Sequence, residues 1–380
     1  MKSYDFIMAG GGVAGLSLAY HLVLSPLRDR SILIIDRDAK VRNDRTLCFW
    51  TEQPTLFDDV VCRSWNRLRF VGETFERVID LGAYRYKMLR GIDFYRFARQ
   101  SLSAYPNVEF LQGKIEQIDD GPACASVTAG GQVYGGQWVF DSRFRLAQFA
   151  PDAARYHCLQ QHFKGWEIET TGAAFDPQIP TLFDFRTPQK NEMRFFYVLP
   201  LSERRALVEY VLLSHEDTTQ ALKTYIGDVL GITEYRIVAE EGGVNPLTDY
   251  PFPRQTGQRV MTVGTPGGRV KPSSGYAFER IQQDSAAIVR SLLETGHPFG
   301  IPPDSRFFGL CDSIMLQVIL RHGERLKPIF TTMFQKNSIR RIFRFLDGKA
   351  SPPESLALMA TMPRWLFLSA WFRTIVLGRI

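Results

Sequence analysis

Residues 4–36 constrain the fold more tightly than any other part of this chain. Residues 4–9 are an apolar run with the length of a buried parallel strand. The turn Gly10-Gly11-Gly12-Val13-Ala14-Gly15 follows, then residues 16–24 with helical spacing that stop short of Pro26. Residues 31–36 form a second apolar run closing on Asp36, which completes a βαβ unit. Gly10, Gly12 and Gly15 fit G-x-G-x-x-G. The first glycine permits the tight turn, the second admits a pyrophosphate, and the third lets helix and strand pack closely. Free N–H groups and the positive dipole end at the helix start attract phosphates. Asp36 stands where an acid accepts hydrogen bonds from ribose hydroxyls. Three glycines in an ordinary strand-to-helix turn are the alternative reading. The strand before, the helix after and the acid at its proper distance favour a site for an ADP moiety.

Beyond this unit, residues 86–105 read as a helix, and residues 108–111 and 133–140 as strands. From 158 to 213 alternating strand patterns dominate (162–168, 193–199 and 206–213), as in an inserted antiparallel sheet. Residues 260–264 return to the buried-strand pattern. A Gly/Pro/Ser-rich loop at 264–275 then leads to a helix at 277–293, and the remaining residues read as helical. The expected class is α/β (α+β): a Rossmann-like FAD-binding domain (1–150 and 240–295), an inserted antiparallel-sheet substrate domain (151–239) and a helical C-terminal region (296–380). An NAD dehydrogenase continues with further βα units, whereas this split order with a late glycine loop suits a flavoprotein.

The formal net charge of +6 suits phosphate groups, anionic lipid or nucleic acid, without choosing among them. Cys48, Cys62, Cys124, Cys158 and Cys311 are scattered and form no CxxC pair. That argues against a zinc site or a disulfide framework, and for a reducing compartment. The histidines have no metal-ligand spacing, so no metal is expected. Glycines and Asp5 interrupt the apolar N-terminus, unlike a signal peptide. No uncharged run reaches the roughly 20 residues of a membrane span.

The late loop, residues 264–276 with Gly264, Gly267 and Gly268, resembles the flavin-contacting loop of the lycopene cyclases. Residues 44–50, 199–209, 243–247 and 343–347 are similar to the same family, so the likeness runs from end to end, and a bacterial β-cyclase is the expectation. The resemblance implies a fold shared with FAD-dependent hydroxylases, geranylgeranyl reductases and halogenases. It implies FAD active in its reduced form, NAD(P)H as reductant, and cyclisation of lycopene and other linear carotenoids without net redox change. It carries two departures. Relatives place an acid and then threonine directly after the glutamate that matches Glu209, where this chain has Tyr210 and Val211. Related flavoproteins carry aspartate after the first glycine of the late loop, where this chain has Thr265.

Such a reaction needs a neutral acid, a dry pocket and negative charge beside a carbocation. Strand alternation puts Glu209 on one face with Leu207, Val211 and Leu213. An apolar face raises a carboxyl's pKa and keeps it protonated, as a general acid requires. A surface glutamate paired with Arg204 or Arg205 is the alternative. Glu192 is a second candidate, as a base or as a surface residue. Phe195, Phe196, Tyr197, Tyr210 and Tyr276 are candidate cation-facing rings or plain core.

Residues 338–345 and 363–373 mix bulky apolar and basic residues, with Phe in both and Trp in the second, as an interfacial helix on anionic lipid does, or a helix packed on the core. The expected location is cytoplasmic and peripheral on the inner face of the membrane. Expected partners are the membrane surface and carotenoid-pathway enzymes, with no nucleic acid. The competing readings are an FAD monooxygenase or isoprenoid reductase, and a non-catalytic lipid carrier.

Overall fold

Runs rich in β-branched and apolar residues pair best where both sheet faces are covered. Lys2–Ala9 and Ile32–Asp36 do so in the computed structural model, which describes residues 1–72 and 74–376. They lie side by side and parallel in a seven-stranded sheet. Its order is Val108–Gln112, Ile32–Asp36, Lys2–Ala9, Gln132–Asp141, Ala125–Ala129 and Ile115–Asp119. Val260–Thr262 runs parallel to the end of Gln132–Asp141. The helix Val13–Val23 buries Leu16, Leu18, Ala19 and Leu22 between this sheet and the helix Phe278–Thr295.

A second seven-stranded sheet runs Tyr235–Thr248, Cys158–Thr170, Arg205–Leu212, Phe195–Ser202, Thr181–Asp184, Arg67–Val71 and Glu76–Asp80. It is antiparallel except where Thr181–Asp184 meets Arg67–Val71. This sheet is wider than the expected segment 151–239. The edge of Thr181–Asp184 needs a partner, and a hairpin from residues 67–80 supplies it. On the other side, Tyr235–Thr248 stays in the sheet past residue 240.

One face of this sheet buries Phe183, Phe195, Leu207 and Val211 against the C-terminal helices Arg306–His322, Leu326–Lys336 and Ile339–Leu346. The other face buries Phe196, Val208 and Tyr210 under Leu222, Tyr225 and Ile226. The helix expected at 86–105 begins only at Gly91 (Gly91–Ser103). Arg85–Arg90 is instead a strand, claimed by pairing with Thr46–Thr51 and Arg63–Trp65 in a small third sheet. Long-range pairing there overrides local helical spacing.

Candidate active site

The glycine turn and Asp36 meet at the carboxyl ends of the parallel strands, where α/β sheets bind ligands. Gly15 packs so closely that a Cβ on it would fall 2.0 Å from the Gly10 carbonyl oxygen. Gly12 is the opposite case. It is the N-cap of Val13–Val23, and a Cβ there would meet no protein atom within 4 Å. That helix start has no side-chain cap and no acidic residue in its first turn. Its N–H groups and dipole are therefore open to an anion, which fits the phosphates of a dinucleotide. The Gly11 N–H donates to Asp36 Oδ2 at 2.7 Å, which ties the acid to the turn.

The late loop lies over the same helix start, since a Cβ on Gly264 would fall 2.7 Å from Ala14 Cβ. Gly264 and Gly268 have φ of +67° and +71°, and Arg254 donates to the Gly267 carbonyl at 2.9 Å. Thr265 opens the short 3-10 turn Thr265–Gly267 between them. The loop then carries Gly275 and Tyr276 to a second place, the cavity that holds Glu209.

That cavity has a volume of about 140 Å³. Leu199, Leu207, Val211, Phe163, Tyr197, Tyr86, Cys48 and Tyr276 line it, with Arg45, Gln161 and Asn245 at its border. Glu209 lies on an internal strand, between Cys158–Thr170 and Phe195–Ser202, so the surface alternative does not apply. Arg205 pairs with Glu167 instead of Glu209. Glu209 is half-buried by area because it lines the cavity, yet the surrounding mass of protein desolvates its carboxyl. Burial, and then the charge of Glu241, push it well above the usual carboxylate range. Burial also pushes up Cys48, Tyr86, Tyr197 and Tyr276, which leaves them neutral. The Tyr197 and Tyr276 hydroxyls are 3.2 Å apart.

The aromatic candidates separate by face. Tyr197 and Tyr276 line the cavity. Phe195 belongs to the same core with Phe183 and Phe185. Phe196 and Tyr210 point to the other side of the sheet, where Phe196 stacks on Tyr210 at 4.5 Å and on Tyr225 at 3.8 Å. Those two rings cannot face a cation in the cavity. Glu192 is neither near Glu209 nor on the surface. It is ion-paired with Arg194 and accepts from Ser214 Oγ at 2.7 Å.

Residues 338–345 resolve as core. Ile339, Ile342 and Phe343 are buried, and Phe343 stacks on Trp50 at 4.4 Å. Trp50 in turn lies edge-on to Tyr276 at 4.7 Å and donates to Asp347 Oδ1 at 2.9 Å. This segment braces the cavity wall. The helix Arg364–Val376 differs, burying Ala370 and Thr374 while leaving Trp365 85%, Leu368 53% and Phe372 52% exposed.

Sequence reasoning missed Glu241, whose only local signal is an acid in a strand just before the matched residues 243–247. Among the described residues the five cysteines are free, no acidic, cysteine or histidine cluster could hold a metal, and no helix is long and apolar enough to cross a membrane.

A family model described as lycopene cyclase protein matches residues 5–370. A chloroplastic neoxanthin synthase of Solanum tuberosum is 23% identical over 364 residues, covering 84% of this chain and 69% of that protein. A chloroplastic lycopene beta cyclase of Arabidopsis thaliana is 23% identical over 322 residues, covering 76% and 60%. The chain thus spans roughly two thirds or less of these curated relatives' own length. Among solved structures, the flavin-dependent brominase Bmp2 matches with a TM-score of 0.67 at 13% identity, covering 94% of this chain and 98% of that one. A geranylgeranyl bacteriochlorophyll reductase-like protein of Thermoplasma acidophilum matches with a TM-score of 0.63 at 13% identity, covering 97% and 98%. At such identity the likeness is one of fold, and the fold is that of these flavoproteins.

Proposed function

This chain belongs to the lycopene cyclase family, and we propose that it is a lycopene β-cyclase, closing the linear ends of lycopene to β-rings by way of γ-carotene without net redox change. The carrying observation is Glu209: a carboxyl held neutral in an apolar-walled cavity that the late loop joins to the nucleotide end. Gly10, Gly12, Gly15, Asp36, Gly264, Gly267 and Gly268 would hold FAD. Reduced FAD, maintained by NAD(P)H, supplies negative charge beside the cation when bound.

Glu209 donates its proton to the terminal alkene. The neighbouring double bond attacks the resulting tertiary cation and closes the ring. A proton then leaves the adjacent carbon and returns to the Glu209 carboxylate. One proton enters and one leaves, so the product is an isomer of the substrate. Leu199, Leu207 and Val211 exclude water that would trap the cation. The faces of Tyr197 and Tyr276 offer it π density. Trp365, Leu368 and Phe372, with Arg364 and Arg373 beside them, form the face that meets the membrane from which a C40 hydrocarbon is drawn.

The test is anaerobic incubation with lycopene in liposomes, FAD and NADPH, with carotenoids followed by HPLC. Bicyclic product from the wild type and at least about 100-fold less from Glu209→Gln is expected for loss of a general acid. NADPH consumed in step with a reduced product would establish an isoprenoid reductase instead. Lycopene bound but unchanged would establish a carrier.

A further inference from the structure

Gly165 stands between two glutamates. In the sheet it lies opposite Glu209 on one side and Glu241 on the other, so all three share a face. A Cβ on Gly165 would fall 3.2 Å from Glu241 Cγ and 3.4 Å from Glu209 Cβ, and 2.8 Å from Leu207 Cδ1. Any side chain there would fill the gap across which the two carboxyls face each other, near enough for the charge of Glu241 to act on Glu209.

Glu241 also accepts from Thr46 Oγ1 at 2.8 Å, the Thr46 N–H at 3.2 Å and Asn43 Nδ2 at 3.2 Å. A carboxylate offers about four acceptor positions and no donor. Three fixed donors favour the charged form of Glu241 and leave one acceptor position open to a Glu209 O–H, which favours Glu209 as the protonated member of the pair. The two residues also open in different directions. Glu209 lines the inner cavity, while Glu241 lines an outer groove of about 390 Å³ with His162, Lys164, His215 and Glu240.

We propose that Glu241 is the proton link between Glu209 and solvent, a positioning residue that holds the donor's hydrogen bond and exchanges its proton with the outer groove. This rests on Glu209 being the proton donor. Within each turnover Glu209 recovers a proton from the substrate, so the link governs exchange with water between turnovers. The other titratable or charged groups facing the pair are Cys48, Tyr86, Tyr197, Tyr276 and Arg45 on the cavity side, and Glu167, itself paired with Arg205. Glu216 completes the groove side.

Multiple turnovers in heavy water read the link directly. The wild type should place about one deuterium per ring, because Glu209 re-equilibrates before its next donation. In Glu241→Gln, Glu209 donates again the proton it has just recovered, and deuterium per ring should fall at least threefold although turnover is slower. Equal labelling in the two proteins would overturn the proposal, since a structural role alone gives slower turnover and fuller exchange.

An infrared titration of the protonated-carboxyl band gives an answer that does not need turnover. The part of the band that belongs to the pair is the part lost in Glu209→Gln, which sets it apart from other raised carboxyls such as Asp347. In Glu241→Gln its midpoint should drop by about one pH unit or more as the neighbouring charge is lost. An unchanged midpoint would dissolve the pair even in a protein with no cyclase activity, and a shifted midpoint in an inactive protein would discard the cyclase reading while keeping the pair. Gly165→Ala, which wedges the carboxyls apart, should lower the midpoint likewise while Thr46 and Asn43 are untouched.

Discussion

Replacing Gly12 and Gly15 in turn by alanine separates the two tasks of the glycine turn. At Gly15 the new methyl would stand 2.0 Å from the Gly10 carbonyl oxygen, a backbone atom that moves only with the strand end. Relieving that contact takes a shift of more than about 1 Å, and overpacking of this kind costs about 3 kcal/mol at the upper end. Alanine returns about 1 kcal/mol through helix propensity, which leaves a net loss of about 2 kcal/mol. For a chain of 380 residues, whose unfolding entropy is about 2.1 cal/mol/K per residue, that lowers Tm by about 2–3 °C.

At Gly12 the backbone is already extended, with φ −82° and ψ −169°, and the methyl meets no protein atom within 4 Å. The loss there is confined to a weaker N-cap, about 1 kcal/mol or less. The methyl instead occupies the space through which phosphates approach the helix start. FAD affinity should therefore fall at least about 10-fold, or 1.4 kcal/mol. Thermal unfolding of flavin-free protein and flavin titration measure the two effects apart, because bound ligand would itself raise Tm. If Gly12→Ala bound FAD as the wild type does, the phosphates do not pass this turn. If Gly15→Ala unfolded at the wild-type temperature, the packing argument fails.

Burial pushes the Asp347 carboxyl up to about 6. The folded state then binds more protons than the unfolded state between that value and the ordinary aspartate value of 3.8, so this group's contribution to stability falls as pH rises through the window. Asp347→Asn, which still accepts from Trp50, should gain up to about 3 kcal/mol over the wild type at pH 7 and almost nothing at pH 4, measured by urea unfolding at both. Phe343→Ala empties a fully buried site beneath Trp50 and should cost about 3–5 kcal/mol, with turnover falling because Trp50 backs Tyr276. Unchanged denaturation would remove the tail from the cavity wall. Trp365→Ser, at an 85% exposed position, should change stability by less than about 0.5 kcal/mol while weakening sedimentation with anionic vesicles. Equal sedimentation would move the lipid contact elsewhere.

What was legible along the chain was local and periodic. The βαβ unit follows from apolar runs, glycine spacing and one acid within residues 4–36, because those contacts close over a few dozen residues. Alternation likewise put Glu209 on one face with Leu207 and Val211, and all three line the cavity. Alternation also held the answer for Phe196 and Tyr210, which fall on the opposite face. Treating the aromatic residues as one group concealed it.

The tertiary structure alone decided which strands became neighbours. Residues 86–90 carry helical spacing, yet pairing with Thr46–Thr51 made them a strand and turned Tyr86 toward the cavity. Residues 67–80 joined the antiparallel sheet because Thr181–Asp184 presented an open edge. Basic residues mix with bulky apolar ones at both 338–345 and 363–373, yet Trp50 receives Phe343 while among the described residues Trp365 stays 85% exposed. The clearest case is the second carboxyl. The residue after Glu209 is Tyr210, so local sequence offers no partner acid, and the sheet supplies Glu241 from another strand across Gly165. Periodicity fixes which way a side chain faces, whereas the neighbour it meets there is set by long-range register, which no local window contains.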